Sequence, residues 1–247
     1  MARAWIGTSG WTYESWWGRV YPKMPDRDRL EHYVAHLFDT VELNASYYRW
    51  PPDSSFASWS RRLPPGFQFT VKAPRALSHA RRLYAPEYWI ERVQRSVGLL
   101  GDRLGVVLLQ LPPGMERDDA RLAYFLDAWP RSLRLAVEFR HPSWVDDAVF
   151  AALEARDASY VVMSGAKLPC VLRATASFVY VRFHGPDDQH LYAGSYSDEA
   201  MGWWADRIAE WLAQGRDVYA YFNNDGDANA VRNGLTLRDQ LAARLPG

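Results

Sequence analysis

Eight short apolar runs recur along this chain, and seven of them are followed by a stretch of helical periodicity. The runs are Ala4–Gly7, Thr40–Asn44, Phe67–Lys72, Leu104–Gln110, Leu135–Val137, Ala158–Met163, Phe178–His184 and Val218–Phe222. Each is short, and all but the first carry Val, Leu, Phe or Tyr, as buried strands do. Apolar residues recur at helical spacing over 26–38, 53–62, 87–100, 117–128, 145–155, 198–213 and 228–245. Asp26 or Asp28 is placed to cap the first of these helices. Only 164–177, after the sixth run, has Gly165 and Pro169 and no helical period.

Strands that alternate with helices are parallel, because each helix carries the chain back to the start of the next strand. Eight such units in 247 residues predict an α/β fold of the TIM-type (β/α)8 barrel, lacking a regular helix after strand six. A doubly wound open sheet is the rival, but no Gly-x-Gly-x-x-Gly follows strand one. No repeat, linker or low-complexity segment interrupts the pattern, so residues 1–247 read as one domain.

Composition narrows the function classes. The 29 basic and 29 acidic residues cancel, so no general electrostatic pull toward nucleic acid or membrane is expected. No apolar run spans a bilayer and the N-terminus has no signal region, which predicts a cytoplasmic protein with no membrane partner. The single cysteine, Cys170, rules out an internal disulfide and a cysteine-based zinc site. The 12 Trp, 14 Tyr and 10 Phe suit an aromatic core, to which a sharper reading adds an aromatic-lined cleft. Only three of the 29 basic residues are lysines, and one of them, Lys72, stands at a strand end.

The strand ends carry the chemistry. They read Thr8-Ser9, Glu42 with Asn44, Lys72, Gln110, Glu138-Phe-Arg140-His141, Arg182 with His184, and Asn223-Asn224. In a barrel these carboxyl ends and the loops beyond them form the active face. Side chains alternate along a strand, so Glu42 and Asn44 share a face, as do Glu138 and Arg140, and Arg182 and His184. Three cations (Lys72, Arg140, Arg182) outnumber two carboxylates (Glu42, Glu138), which suits a small anionic ligand such as a phosphate or carboxylate. The competing reading is a self-neutralising network that only fixes the barrel mouth. Asn223-Asn224-Asp-Gly226 precedes a helix, where phosphate often binds, although Asp225 and Asp227 count against a bare phosphate and read equally as helix caps.

A divalent metal is compatible with Glu42, His79, Glu138, His141 and His184, yet no short metal motif occurs and Arg140 and Arg182 oppose a dication; the sequence requires no cofactor. His32 and His36 lie at helical spacing on the other side of the unit.

Several motifs together resemble those of the YecE-like family, domain of unknown function 72. They are Gly7-Thr-Ser-Gly-Trp-Thr-Tyr13, Tyr21-Pro22, Thr40-Val-Glu-Leu-Asn44, Tyr47-Tyr-Arg49, Leu109-Gln-Leu-Pro-Pro113, Glu138-Phe-Arg-His-Pro-Ser-Trp144, Arg182-Phe-His-Gly185 and Tyr221-Phe-Asn-Asn224. The resemblance covers nearly the whole chain and implies a (β/α)8 barrel. It implies no established reaction.

The best reading is an enzyme doing acid–base chemistry on a small anionic or phosphorylated substrate. Glu138 or Glu42 would be the base and His141 or His184 the acid, with Lys72 as a further catalytic amine. Arg140, Arg182, Asn44, Tyr47, Gln110, Trp144, Asn223 and Asn224 would bind substrate. Hydrolase, lyase and isomerase chemistry all stay open. The alternatives are a metal-dependent phosphodiesterase or nucleic-acid-processing enzyme, with nucleic acid as partner, and a ligand-binding protein without turnover. A glycosidase ranks lower, since strands four and seven end in Gln110 and His184 rather than carboxylates.

Overall fold

The computed structural model describes residues 1–165 and 167–245. Eight parallel strands follow one another around a closed barrel in sequence order. They are β1 (Ala4–Ser9), β2 (Thr40–Leu43), β3 (Gln68–Lys72), β4 (Leu104–Gln110), β5 (Leu135–Glu138), β6 (Ser159–Ser164), β7 (Phe178–Phe183) and β8 (Asp217–Phe222). The helices are α1 (Arg29–His36), α2 (Ala45–Tyr48), α3 (Asp53–Arg62), α4 (Glu87–Gly98), α5 (Asp119–Ala128), α6 (Asp147–Glu154), α7 (Asp198–Ala213) and α8 (Asn229–Ala242). This is the expected (β/α)8 barrel. No described helix is long and apolar enough to cross a membrane.

Contacts divide the chain into two compact units. The first comprises Met1–Glu42, Val162–Cys170 and Ser177–Gly247. Here β1 pairs with β2 and β8, and β8 pairs with β7. The register Arg182↔Tyr221 and Phe183↔Phe222 sets the two faces of that pair. Phe183 and Phe222 stack at 4.2 Å, and Trp204 of α7 meets Phe183 edge-on at 5.0 Å. Arg182 and Tyr221 therefore take the opposite, inner face. A Cβ at Gly7 would lie 2.3 Å from the Thr40 carbonyl oxygen, so β1 and β2 approach this closely only with glycine there.

The second unit comprises Leu43–Val161 and Val171–Ala176. β4 pairs with β3 and β5, and its Val106, Val107, Leu108 and Leu109 are wholly buried. Such a strand, covered on both faces, reads as an unbroken apolar run rather than an alternation. α4 buries Ile90, Val93 and Val97, one stripe at helical spacing. Asp118 and Asp146 cap α5 and α6 by accepting from the Arg121 and Ala148 amides at 2.9 Å.

Local departures from the expected elements have local causes. The first helix begins as a 3-10 turn over Asp26–Asp28, and neither aspartate makes a cap hydrogen bond. Asp26 instead pairs with Arg29 at 2.6 Å. The short α2 follows β2 directly, with Asn44 between them. The stretch after β6 is indeed non-helical; Ala166, within it, lies outside the described residues. Thr175, at its end, receives the Tyr160 amide and donates to the Ala158 carbonyl, each at 2.7 Å, so one side chain satisfies the start of β6.

Candidate functional site

The predicted site residues fall into two clusters, one in each unit. In the first, Glu42 ends its strand wholly buried. Its carboxylate accepts from Tyr180 Oη at 2.6 Å, from Arg182 Nη2 at 2.7 Å and from the Ser9 hydroxyl. Arg182 is also buried, and the same Nη2 reaches Ser9 Oγ at 3.3 Å. A buried pair of this kind is tolerable only when its remaining polar atoms are also bonded. β1 runs two residues further than its sequence suggested, and this brings Ser9 into register with Glu42.

Tyr13 and Asp225 close this cluster on the solvent side, and both are half-buried. Tyr13 Oη donates to the Ser9 carbonyl oxygen. Gly10 makes room: its φ is +95°, and a Cβ there would sit 2.7 Å from Tyr13 Oη. Trp16 Nε1 and Ser15 Oγ bond the Asp225 carbonyl oxygen at 3.1 and 3.0 Å, tying the loop after β1 to the loop after β8. The Asp225 carboxyl hydrogen-bonds with Tyr13. Its Oδ1 is buried and has no protein partner.

Burial pushes the Asp225 proton affinity up to about 8, against the Tyr13 hydrogen bond and the Arg182 charge, which lower it, while the nearby Glu42 charge adds to the rise. Tyr13 is raised as well, by burial first and then by Asp225. The cap expected of Asp225 is absent: the turn Gly226–Ala228 begins there without a side-chain cap bond. Asp227 and Ala228 are left-handed, with φ of 54° and 60°, so the chain leaves β8 through a strained corner.

Strand parity separates the two asparagines. Asn223 continues the inner face of Tyr221 and, by the β7–β8 register, lies beside His184. Its buried Oδ1 has no protein partner. Asn224 faces the other way, and its Nδ2 donates to the Gly194 carbonyl and to Asn233 Oδ1, both at 2.9 Å. Asn224 thus braces the β8 loop against α8. His184 is wholly buried, and Gly165 packs on it so tightly that a Cβ there would meet the His184 Cβ at 2.7 Å.

The second cluster holds the other predicted residues. Glu138 is buried and accepts from Arg140 Nε, as their shared face predicts. Gln110 stands opposite Glu138 in the β4–β5 register and is half-buried. Lys72 Nζ donates to Asn44 Oδ1 at 3.2 Å and lies 4.4 Å from the centre of the Tyr47 ring. His141 accepts from the Ser143 amide at 3.3 Å, capping the turn Pro142–Trp144. Trp144 is wholly buried, stacks on Phe139 at 4.8 Å and gives its N–H to the Met115 carbonyl, so it anchors this turn.

Among the described residues, no three His, Cys, Asp or Glu side chains are grouped to hold a metal ion. His32 and His36 are adjacent, ring centres 4.5 Å apart, on α1. A cavity of about 1200 Å³ in the first unit opens at the starts of β1 and β8 among Ala4, Ile6, Phe38, Leu212 and Leu241. Its apolar lining lies at the opposite strand ends from Glu42 and Asp225.

Sequence reasoning placed Ser9 at a strand end without a role, read Asp225 as a helix cap, and passed over Tyr13 and Tyr180. For Tyr180 a signal existed, since it shares strand parity with Arg182. For Tyr13 and Asp225 there was none, because loops bring them together.

The family model described as "Protein of unknown function DUF72" matches residues 5–246. The UPF0759 protein YunF of Bacillus subtilis is 27% identical, over 98% of this chain and 96% of its own. The crystal structure of a DUF72 family protein (TM1631) from Thermotoga maritima superposes with a TM-score of 0.88 at 30% identity, covering 97% of this chain and 99% of that one. A DUF72 family protein (EF0366) from Enterococcus faecalis shares the fold, with a TM-score of 0.84 at 21% identity, covering 100% of this chain and 97% of that one.

Proposed function

We propose that this chain, which belongs to the DUF72 family, is an enzyme that performs acid–base chemistry on a small anionic substrate at the Ser9–Tyr13–Glu42–Arg182–Asp225 cluster. The observation that carries this reading is the Asp225 carboxyl, whose proton affinity is held at about 8. A carboxylic acid still protonated at neutral pH is what a general acid requires. Because Asp225 and Tyr13 are half-buried, a substrate can reach this proton from solvent.

In this reading Asp225 takes the role of acid that the sequence offered to His141 or His184. Glu42 or His184 takes that of base. Arg182 supplies the positive charge that draws an anionic group, phosphate or carboxylate, and Glu42 and Tyr180 hold it in place. Asn223 Oδ1 is an acceptor for a substrate hydroxyl or amine.

The test is a thermal-shift screen of the purified protein against phosphorylated and carboxylated small molecules, followed by ¹H and ³¹P NMR of each stabilising compound for turnover. Turnover should fall as pH rises past about 8. Asp225→Asn should lose roughly 100-fold or more in rate while still binding. A stabilising compound that the wild-type protein leaves unchanged would replace this reading with that of a binding protein.

A further inference from the structure

The segment between β3 and α4, which the proposed acid does not involve, is wound in an unusual way. Residues Ala76–Ala80 form a π-helical turn, a rare, widened form that is frequent at functional sites. Within the next five residues Arg82, Leu83 and Ala85 are all left-handed, with φ of 47°, 65° and 42°. None is glycine, so the surrounding structure holds them there. Leu83 is wholly buried, and its amide bonds the Leu77 carbonyl at 3.2 Å. The loop is therefore wound around a fixed apolar anchor.

This winding presents His79. Its Nδ1 is 2.9 Å from Ser78 Oγ, and its ring meets the Tyr47 ring edge-on at 5.2 Å. The Lys72 ammonium lies against the same tyrosine ring at 4.4 Å. Tyr47 thus joins an imidazole and an ammonium. The charges that act on His79 come from Lys72 at the end of β3, Arg75 and Arg82 on the loop itself, and Arg140 after β5. Arg140 has Glu138 as its carboxylate partner. Arg75 and Arg82 are exposed.

We infer that this loop is a binding site for a tetrahedral oxyanion dianion, the phosphate of a monoester or the free ion, received by His79 among Lys72, Arg75, Arg82 and Arg140. Guanidinium groups match such an anion two oxygens at a time, and an ammonium adds a point charge. His79 also makes the site responsive to pH. Burial, and then the four cations, lower its proton affinity and so disfavour the imidazolium without the anion. A bound dianion offsets those cations and favours the imidazolium, whose two ring nitrogens are both donors. Binding therefore takes up a proton and tightens as pH falls.

The test is isothermal titration of the full chain with sodium sulfate, whose charge does not change across this range, and with inorganic phosphate and a phosphomonoester, glycerol 3-phosphate. Sulfate should bind more tightly at pH 6 than at pH 8. The double variant Arg75→Ala with Arg82→Gln should weaken it at least tenfold at pH 6. The His79→Gln variant should lose most of the pH dependence while keeping residual binding. Tighter binding of glycerol 3-phosphate than of phosphate assigns the site to a monoester, and the reverse assigns it to the free ion. Absence of heat with all three anions at millimolar concentration would overturn the inference. So would equal sulfate affinity in the wild type and in the single variant Arg75→Ala, whose exposed side chain is not needed for folding.

Discussion

Tyr13 gives its one phenolic hydrogen to the Ser9 carbonyl, and its oxygen meets the Asp225 carboxyl. Burial raises Asp225 to about 8 against the Tyr13 hydrogen bond, which favours the ionised carboxyl.

Asp225 should therefore make stability depend on pH. The unfolded chain releases this proton near about 4, whereas the folded chain keeps it until about 8. Between those values the folded state binds more protons, so stability falls as pH rises and the loss is complete above the folded value. Asp225→Asn cannot release a proton. Its melting temperature should match the wild type near pH 4 and exceed it near pH 8, as differential scanning calorimetry would show.

Tyr13→Phe keeps the ring packing on Trp16, 5.1 Å between centres, and removes the hydroxyl. The hydrogen bonds to Ser9 and Asp225 are lost, at a cost of about 1–2 kcal/mol. Urea denaturation near pH 6 should show this as a lower midpoint with an unchanged slope.

Arg182→Met leaves Glu42 buried without its guanidinium. Removing one partner of a buried pair costs about 3–5 kcal/mol. Adding Glu42→Gln removes the stranded charge, so the double variant should recover part of that loss. A double-mutant cycle measured by urea denaturation tests this, and strict additivity would refute the coupling.

Gly10→Ala places a methyl group 2.7 Å from Tyr13 Oη, at a φ of +95° that disfavours any side chain. Strain and displacement of Tyr13 together should destabilise by about 1–3 kcal/mol. The variant should also shift the Asp225 titration.

Much of this arrangement was legible in the sequence because strands obey a simple rule. Eight apolar runs alternating with helices led to the barrel, and parity put Glu138 on one face with Arg140. Parity also separates Asn223 from Asn224, although both were assigned to substrate. The loops follow no such rule. Asp225 read as a helix cap because Asp before a helix usually is one, yet the left-handed Asp227 and Ala228 turn the chain so that its carboxyl meets Tyr13 instead. The π-helical turn at Ala76–Ala80 has no periodic signature in so short a run.

The central claim is that one aspartic acid stays protonated at neutral pH, and ¹³C NMR of protein labelled at aspartate carboxyls measures this directly. One carboxyl resonance should titrate near pH 8 and be missing from Asp225→Asn. If every aspartate titrates below about pH 5, in the ordinary range, Asp225 is ionised in the folded protein and cannot serve as the acid.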